Sequence, residues 1–537
     1  MQHDDILIIG GGHNGLVCAC YLAAAGLRVS ILERRPVVGG AAVTEEFIPG
    51  FRNSTASYTV SLLQARIIEE LNLARHGLRI LPRPHANFLP LEGDYLRTGA
   101  TLAETQAEFS RFSARDAERL PAYYRMLDGA GGLLRSLLLE TPVNLGGGLR
   151  DIYKGLQLGN RLRKLSLEER RDLLELFTRS AGDLLEYWFE SEPIRALFGF
   201  DSIVGNFASP YSPGSAYVLL HHVVGEVNGR RGQWGHAIGG MGAITRAMAQ
   251  EAEDRGVRIR LECPVSRVLV EHGRAAGVLL ESGESIRARA IAASINPALL
   301  YLQLVDPSDL DPEFLERMRR YRNGSGSFRM NVALAELPRF RAAPADDNGE
   351  EHLRSGILIA PSLGYMEQAW WDARSHGWSQ APVIEMLIPS TVDATLSPPG
   401  AHVASLFCQH FNPVLPGGMQ WDAVKEQVAD RIIHTVDQHA PNFSSSILGR
   451  SILSPQDLER DFGLIGGDIF HGALGLDQLY SARPLLGFGA YRGPLRNLYM
   501  CGAGTHPGGG VSGAPGYNAA REILRDFRSR RPHAKEG

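Results

Sequence analysis

The chain has 537 residues, 44% hydrophobic and 21% charged, which is enough for two or more domains and fits a soluble globular protein. Its 55 basic and 59 acidic residues leave a formal net charge of −4, so charge gives no footprint of nucleic-acid binding. Five scattered cysteines without a C-x-x-C pair argue against a redox dithiol or a zinc site, so no metal site is expected and a reduced, cytoplasmic setting follows.

The first strand is expected by Ile6, which leaves no room for a signal peptide ahead of it. No apolar run approaches the ~18 residues of a membrane span. Peripheral membrane contact stays compatible, because a substrate tunnel mouth can be apolar without a spanning helix.

The opening segment, "DDILIIGGGHNGLVCACYLAAAGLRVSILERRPVVGG", predicts a strand–loop–helix–strand unit. Ile6 to Ile9 is a continuous apolar run, suited to a buried parallel strand. Gly10, Gly12 and Gly15 form G-x-G-x-x-G: one glycine for the tight turn, one for approach to a pyrophosphate, one for helix–strand packing. A helix from about Asn14 to Ala25 points its N-terminal amides at the phosphates, and Gly26 ends it. Leu27 to Leu32 is the second strand. Glu33 stands at its tip, eighteen residues beyond Gly15, where a carboxylate accepts hydrogen bonds from both ribose hydroxyls. Arg34 and Arg35 raise the alternative of a 2′-phosphate, which the charge of Glu33 opposes; one arginine then lies over the adenine or faces water. Gly39 and Gly40 follow. An arginine ahead of such a pair, here Arg35, resembles the extended FAD signature of flavoproteins with two dinucleotide-binding domains. This favours FAD over NAD.

After a loop containing Tyr58, residues 100 to 225 read largely as helices. Tyr187, Trp188, Phe189, Phe198 and Phe200 line a pocket or, more often for such clusters, fill a core. A helix from Gly242 to Arg255 and strands at Val257–Leu261 and Val265–Glu271 come next, then a hairpin turning at "ESGE". Strands in "SFRMNVALAEL", "APVIEMLIPS" and "HVASLFCQHF" precede an amphipathic helix in "WDAVKEQVADRIIHTVDQHAP". Near the C-terminus, "NLYMCGAGTHPGGGVSGAPGYNAAREIL" repeats the strand–glycine loop–helix grammar, with the helical pattern clear from about Asn518.

"AAVTEEFIPGFRNSTASY", "GGMGAITRAMA", "PSTVDATLSPPGAHVASLF", "LERDFGLIGGDIFHGALGLDQLYSARP" and "LYMCGAGTHPGGGVSGAPGYNAA" carry a resemblance to the phytoene desaturase-like flavoproteins, running end to end. It implies an α/β fold: a discontinuous, glutathione-reductase-like FAD-binding Rossmann domain (1–85, 231–298, 481–537). A substrate domain of the amine oxidase and phytoene desaturase type is inserted, helical over 86–230 and mixed over 299–480. It implies FAD contacts from Gly10, Gly12, His13, Asn14, Gly15, Glu33, Arg34, Arg35, Gly39, Gly40 and Ala41, and from Val265 through its backbone to the adenine. Gly502, Ala503, Val511, Ser512, Gly513 and Ala514 would close around the flavin end, with a helix N-terminus near Gly513 to Gly516 facing the C2 carbonyl region.

The activity so implied is hydride transfer from a substrate C–H to flavin N5, leaving C=C or C=N, on a small molecule of apolar or amphipathic kind. Dioxygen, a quinone and a nicotinamide nucleotide all fit as acceptor. The protein orients substrate and excludes water. Tyr58, His506 and Tyr517 are the candidates near the flavin, although His506 equally suits a loop-bracing role. His236 is a weaker candidate, and His221 and His222 read as structural. The alternative is a flavin-free carrier resembling the Rab GDP-dissociation inhibitors, which the intact glycines and Glu33 weigh against.

Overall fold

The computed structural model describes residues 4–144, 147–343 and 350–529. Strand β1 (Asp4–Ile9) is buried along its whole length. It pairs in parallel with β2 (Val29–Leu32) on one side and β6 (Ser285–Ala293) on the other. Strand β3 (Arg258–Arg260) extends the sheet beyond β2, and β7 (Leu498–Met500) extends it beyond β6, giving the parallel order β3–β2–β1–β6–β7. The expectation of a continuous apolar run is met because both faces are covered. Ile6 and Ile8 join the core under helices α1 (His13–Ala24), Gly242–Asp254 and α3 (Ala514–Ser529), while Leu7 and Ile9 join the core on the opposite face.

That opposite face is covered by an antiparallel meander, β4 (Val265–Glu271), β5 (Arg274–Leu280) and β6. Strand β6 serves two layers. Its first residues, Ser285–Arg287, pair with β5, and its last, Ile291–Ala293, pair with β7.

A second sheet of seven strands runs in the order Ile447–Leu453, Ser327–Leu334, His402–Phe411, Trp378–Leu387, Gly356–Ile359, Asn87–Pro90, Tyr95–Arg97. It is antiparallel except where Gly356–Ile359 meets Asn87–Pro90. Helix Trp421–His439 covers one face through Val428, Ile432 and Val436. The helices between residues 102 and 223 cover the other, where Phe407 and Val383 meet Leu120, Leu184 and Leu185. Phe189 and Phe198 stack at 5.3 Å against Tyr123 within that core, whereas Tyr187 is exposed. Helix α2 (Leu149–Lys164) differs from its neighbours in burying no residue.

The last helix begins at Ala514, four residues before its pattern is clear in sequence. Pro515 and Gly516 occupy its first turn, where proline is tolerated because the first amides have no helical partner.

Candidate functional site

At the end of β1, Gly10 adopts φ +95° and its N–H donates to the Leu32 carbonyl at 2.8 Å. A Cβ on Gly15 would fall 2.4 Å from the Gly10 carbonyl oxygen, so α1 leaves the strand at a separation only glycine allows. Gly12 is different: a Cβ there meets no protein atom closer than 3.9 Å. Glu33 is buried at the tip of β2, and its carboxylate accepts the Gly11 N–H at 2.7 Å and the Arg35 N–H at 2.9 Å. The Gly39 N–H donates to the Gly11 carbonyl at 2.9 Å, which lays the second glycine pair along the first loop.

These pieces surround one cavity. Gly10, Gly12, His13, Asn14, Glu33, Arg34, Arg35, Gly40, Ala41, Val265 and Ala503 all reach its wall, from three distant parts of the chain. Ser294, Phe462 and His471 line it as well and were not legible as site residues. Four polar atoms in this wall are buried without a hydrogen-bond partner among the described residues: His13 Nε2, Asn14 Oδ1, Arg35 Nη1 and His471 Nδ1. Orphaned polar groups cost free energy, so their convergence beside an unfilled glycine face fits a polar, phosphate-bearing cofactor. Burial pushes His13 down to about 3, with the nearby His471 adding to it, and pushes His471 down to about 4, with the charge of Arg483 adding to it, so both are neutral near pH 7. Positive potential therefore comes from the start of α1, whose first turn holds no acidic residue.

The two arginines are already engaged. Arg35 pairs with Glu45 at 2.6 Å and lies over the Phe462 ring, while Arg34 donates to the Arg460 carbonyl. Neither geometry is that of a dedicated 2′-phosphate clamp.

In the second loop, Gly502 packs against Ser294, and Ala503 offers its carbonyl to the guanidinium of Arg483 at 3.0 Å. Arg483 is fully buried and also donates to the carbonyls of Phe470, Gly472 and Gln478. It braces the loop from within, and no sequence signal marked it. Val511 has φ +56°; the Ser512 carbonyl accepts the Gln64 N–H at 3.2 Å, and its hydroxyl accepts the Ala514 N–H at 3.3 Å. Gly513, at φ +73°, packs on Ile67 and Val17. A Cβ on Gly516 would fall 2.1 Å from the Asn14 carbonyl oxygen. Helices α1 and α3 thus touch backbone to backbone, and the two glycine loops lie side by side.

Of the three catalytic candidates, Tyr517 requires correction. It sits on the outer side of α3, edge-on to Tyr21 at 5.0 Å, with its hydroxyl toward Arg66 and its ring under Arg521. Its neighbours Gly516 and Asn518 take the buried face, and one residue of helix rotation turns Tyr517 away. His506 is buried, with Nε2 donating to the Leu137 carbonyl at 3.0 Å, and burial lowers it to about 4. It borders a second cavity of ≈ 500 Å³ walled by Leu62, Leu134, Leu137, Phe177 and Tyr217.

Tyr58 follows Ser57, whose hydroxyl and N–H both donate to the carbonyl of Ala41 in the cofactor-cavity wall. The Tyr58 hydroxyl donates in a short hydrogen bond to Glu385, and burial plus that carboxylate hold it protonated. Glu385 also accepts from Arg83 at 3.3 Å. Arg329 stacks over the Tyr58 ring at 4.6 Å and is lowered to about 10 by burial. Asp201, pushed up to about 8 by burial and by the charge of Glu385, completes a polar cluster that sequence reasoning missed. His236 is pinned to Asp393 at 2.8 Å, and His222 bonds the Val218 carbonyl within its own helix.

Residues 15–336 match the family described as flavin containing amine oxidoreductase. The chain is 41% identical over 98% of its length to the rat pyridine nucleotide-disulfide oxidoreductase domain-containing protein 2, covering 94% of that protein. It is 24% identical to a phytoene desaturase (lycopene-forming) of Pantoea ananas, across 95% of this chain and 96% of that one. Among solved structures it resembles cyclohexylamine oxidase from Brevibacterium oxydans, with a TM-score of 0.60 at 18% identity, covering 98% of this chain and 100% of the other. All five cysteines are free; Cys18 and Cys501 meet side chain to side chain, both fully buried, and burial and that contact push the Cys18 thiol up.

Proposed function

Because the chain belongs to the flavin-containing amine oxidoreductase family and is an FAD-dependent oxidoreductase, we propose that it dehydrogenates an apolar or amphipathic small molecule, forming C=C or C=N. The observation that carries this reading is the leucine-walled cavity ending at His506 and Pro507 of the second glycine loop. Pockets of this size and lining suit small ligands held by apolar contact. The phytoene named in one relative supports the same class.

In this reading the FAD-binding part comprises 1–85, 231–298 and 481–537, and the substrate part 86–230 and 299–480. Gly10, Gly12, His13, Asn14 and Gly15 hold the pyrophosphate, Glu33 the ribose, and Val265 the adenine. Gly39, Gly40 and Ala41 run along the molecule. Gly502, Ala503 and the turn from Val511 to Ala514 hold its flavin end. FAD held by these residues would supply the electron sink for an oxidation at a substrate C–H. The protein's part is to seat the substrate and keep water out. His506 is neutral with Nε2 committed to Leu137, so it positions substrate and does not shuttle a proton. Tyr58, its hydroxyl kept protonated by burial and Glu385, stands next to Ser57, which bonds the Ala41 carbonyl of the cofactor cavity.

The flavin-free carrier is the weaker reading, because Gly10, Gly12, Gly15, Glu33, Gly39 and Gly40 are all intact around orphaned polar atoms. The test is anaerobic addition of apolar amines and unsaturated hydrocarbons to the purified yellow protein. Loss of flavin colour with a product two hydrogens lighter is expected. If only small, highly polar amines bleach the flavin, the apolar assignment fails.

A further inference from the structure

Helix α2 is apolar on two opposite sides. Leu158 and Leu162 line the leucine-walled cavity. Leu149, Ile152, Tyr153 and Leu156 face outward and are 58 to 86% exposed. Their spacing of three, four and seven residues puts them on one stripe. Single exposed apolar residues are ordinary; a continuous stripe on a helix without any buried residue marks a contact surface.

The charge on the same helix selects the partner. It carries five basic residues, Arg150, Lys154, Arg161, Arg163 and Lys164, against one acidic residue, Asp151. Asp151 is answered by Lys154, and Arg161 is held by Glu140. Arg163 and Lys164 are exposed and, among the described residues, have no carboxylate partner. A second copy of the helix would set five basic side chains against five others. An anionic surface meets them instead, and an apolar stripe rimmed by cations is the pattern of a helix lying in a lipid interface. No helix among the described residues is long and apolar enough to cross a membrane, so contact would be from one side only.

We propose that α2 seats the protein on an anionic phospholipid surface, with the leucine-walled cavity opening beside it so that an apolar substrate enters from lipid. The entry route rests on the substrate reading above; the seating does not. The test is co-sedimentation of the flavin-loaded protein with vesicles of phosphatidylcholine alone or with phosphatidylglycerol added. Two double variants go alongside, Ile152→Ser with Leu156→Ser, and Arg163→Glu with Lys164→Glu. Binding to the anionic vesicles, weakened by salt, is expected for the parent protein. Each double variant should bind roughly tenfold less or weaker still, one by losing the apolar stripe and the other by reversing two charges that face the anionic surface. Flavin content and melting temperature should not change, because all four side chains are exposed. The proposal is overturned if the parent stays in solution with anionic vesicles, or if both variants bind like it. It is equally overturned if the parent is a dimer that the Ile152→Ser, Leu156→Ser variant dissolves. Vesicle binding without oxidation of any apolar compound would retire the substrate reading and leave the seating intact.

Discussion

In the first glycine loop a Cβ on Gly12 would meet open space, whereas in the second, Cβ atoms on Gly502, Gly504, Gly510 and Gly516 would fall 2.9, 2.4, 2.3 and 2.1 Å from protein atoms. Two segments with the same glycine-rich signature therefore use glycine for different ends. The first leaves room for a ligand at Gly12 and for close helix–strand packing at Gly15; much of the second leaves room for the protein itself. A glycine count measures crowding, and only the structure says who the neighbour is.

Substitutions at both loops turn this contrast into measurements. The largest effect is expected for Gly516→Val, which drives a branched side chain into the Asn14 carbonyl where α1 and α3 meet. Such overlap should cost more than ~4 kcal/mol, leaving little soluble protein of any colour. A well-folded, yellow Gly516→Val protein would show that the two helices part freely.

Gly12→Val should fail in the opposite manner. Its side chain enters the cavity, so FAD affinity should drop by roughly a hundredfold or more while the flavin-free protein melts within about 2 °C of the parent. Retention of full flavin content would place the pyrophosphate elsewhere.

Glu33→Ala should give a mixed result. Charge-assisted hydrogen bonds of about 1.5–3 kcal/mol each are lost toward the ribose, lowering affinity about ten- to a hundredfold. The same carboxylate ties the Gly11 and Arg35 amides, so the flavin-free protein should also melt lower. Glu33→Gln should recover part of the affinity; equal loss in both variants would mean the charge is irrelevant there.

The smallest effects concern pH. Both loops hold an imidazole kept neutral by burial, His13 at about 3 and His506 at about 4. A histidine lowered in the folded state contributes its full stability above the unfolded value near 6.5 and loses it as pH falls toward the folded value. Urea unfolding at pH 7, 6 and 5 should therefore show declining stability, with His506 contributing on the order of 1–2 kcal/mol by pH 5. His506→Gln should flatten that decline. His13→Gln should flatten it less in flavin-free protein, since His13 borders an open cavity. A decline identical in all three proteins would assign it to other groups, with buried His221, His222 and His410 first in line.

The legible parts of the molecule were local. The run from β1 through α1 to Glu33 spans some thirty residues, and each step there follows from chain geometry. The adenine contact of Val265 comes from resemblance alone, whereas the strand it opens, Val265–Glu271, has the limits its apolar pattern predicts. The helix start at Ala514 was obscured because Pro515 and Gly516 are poor helix formers that packing and position override. Tyr517 follows the second loop closely in sequence, yet the turn of the helix carries it to the outer side of α3. Arg483, His471 and the Tyr58–Glu385 pair were out of reach for another reason. The last joins residues 327 apart, and nothing in either neighbourhood announces the other.

Strand β6 pairs with β1 on one side and, at its far end, with β7 on the other. The chain's midpoint thus supplies the seam onto which its two extremities are sewn. During synthesis this sets a waiting time. At about 5–20 residues per second, the edge of β6 stands bare for roughly 10–40 s until Leu498 emerges more than two hundred residues later. A bare strand edge is a template for mispairing with another nascent chain. The hazard is narrow here, because only Ile291 to Ala293 wait for β7.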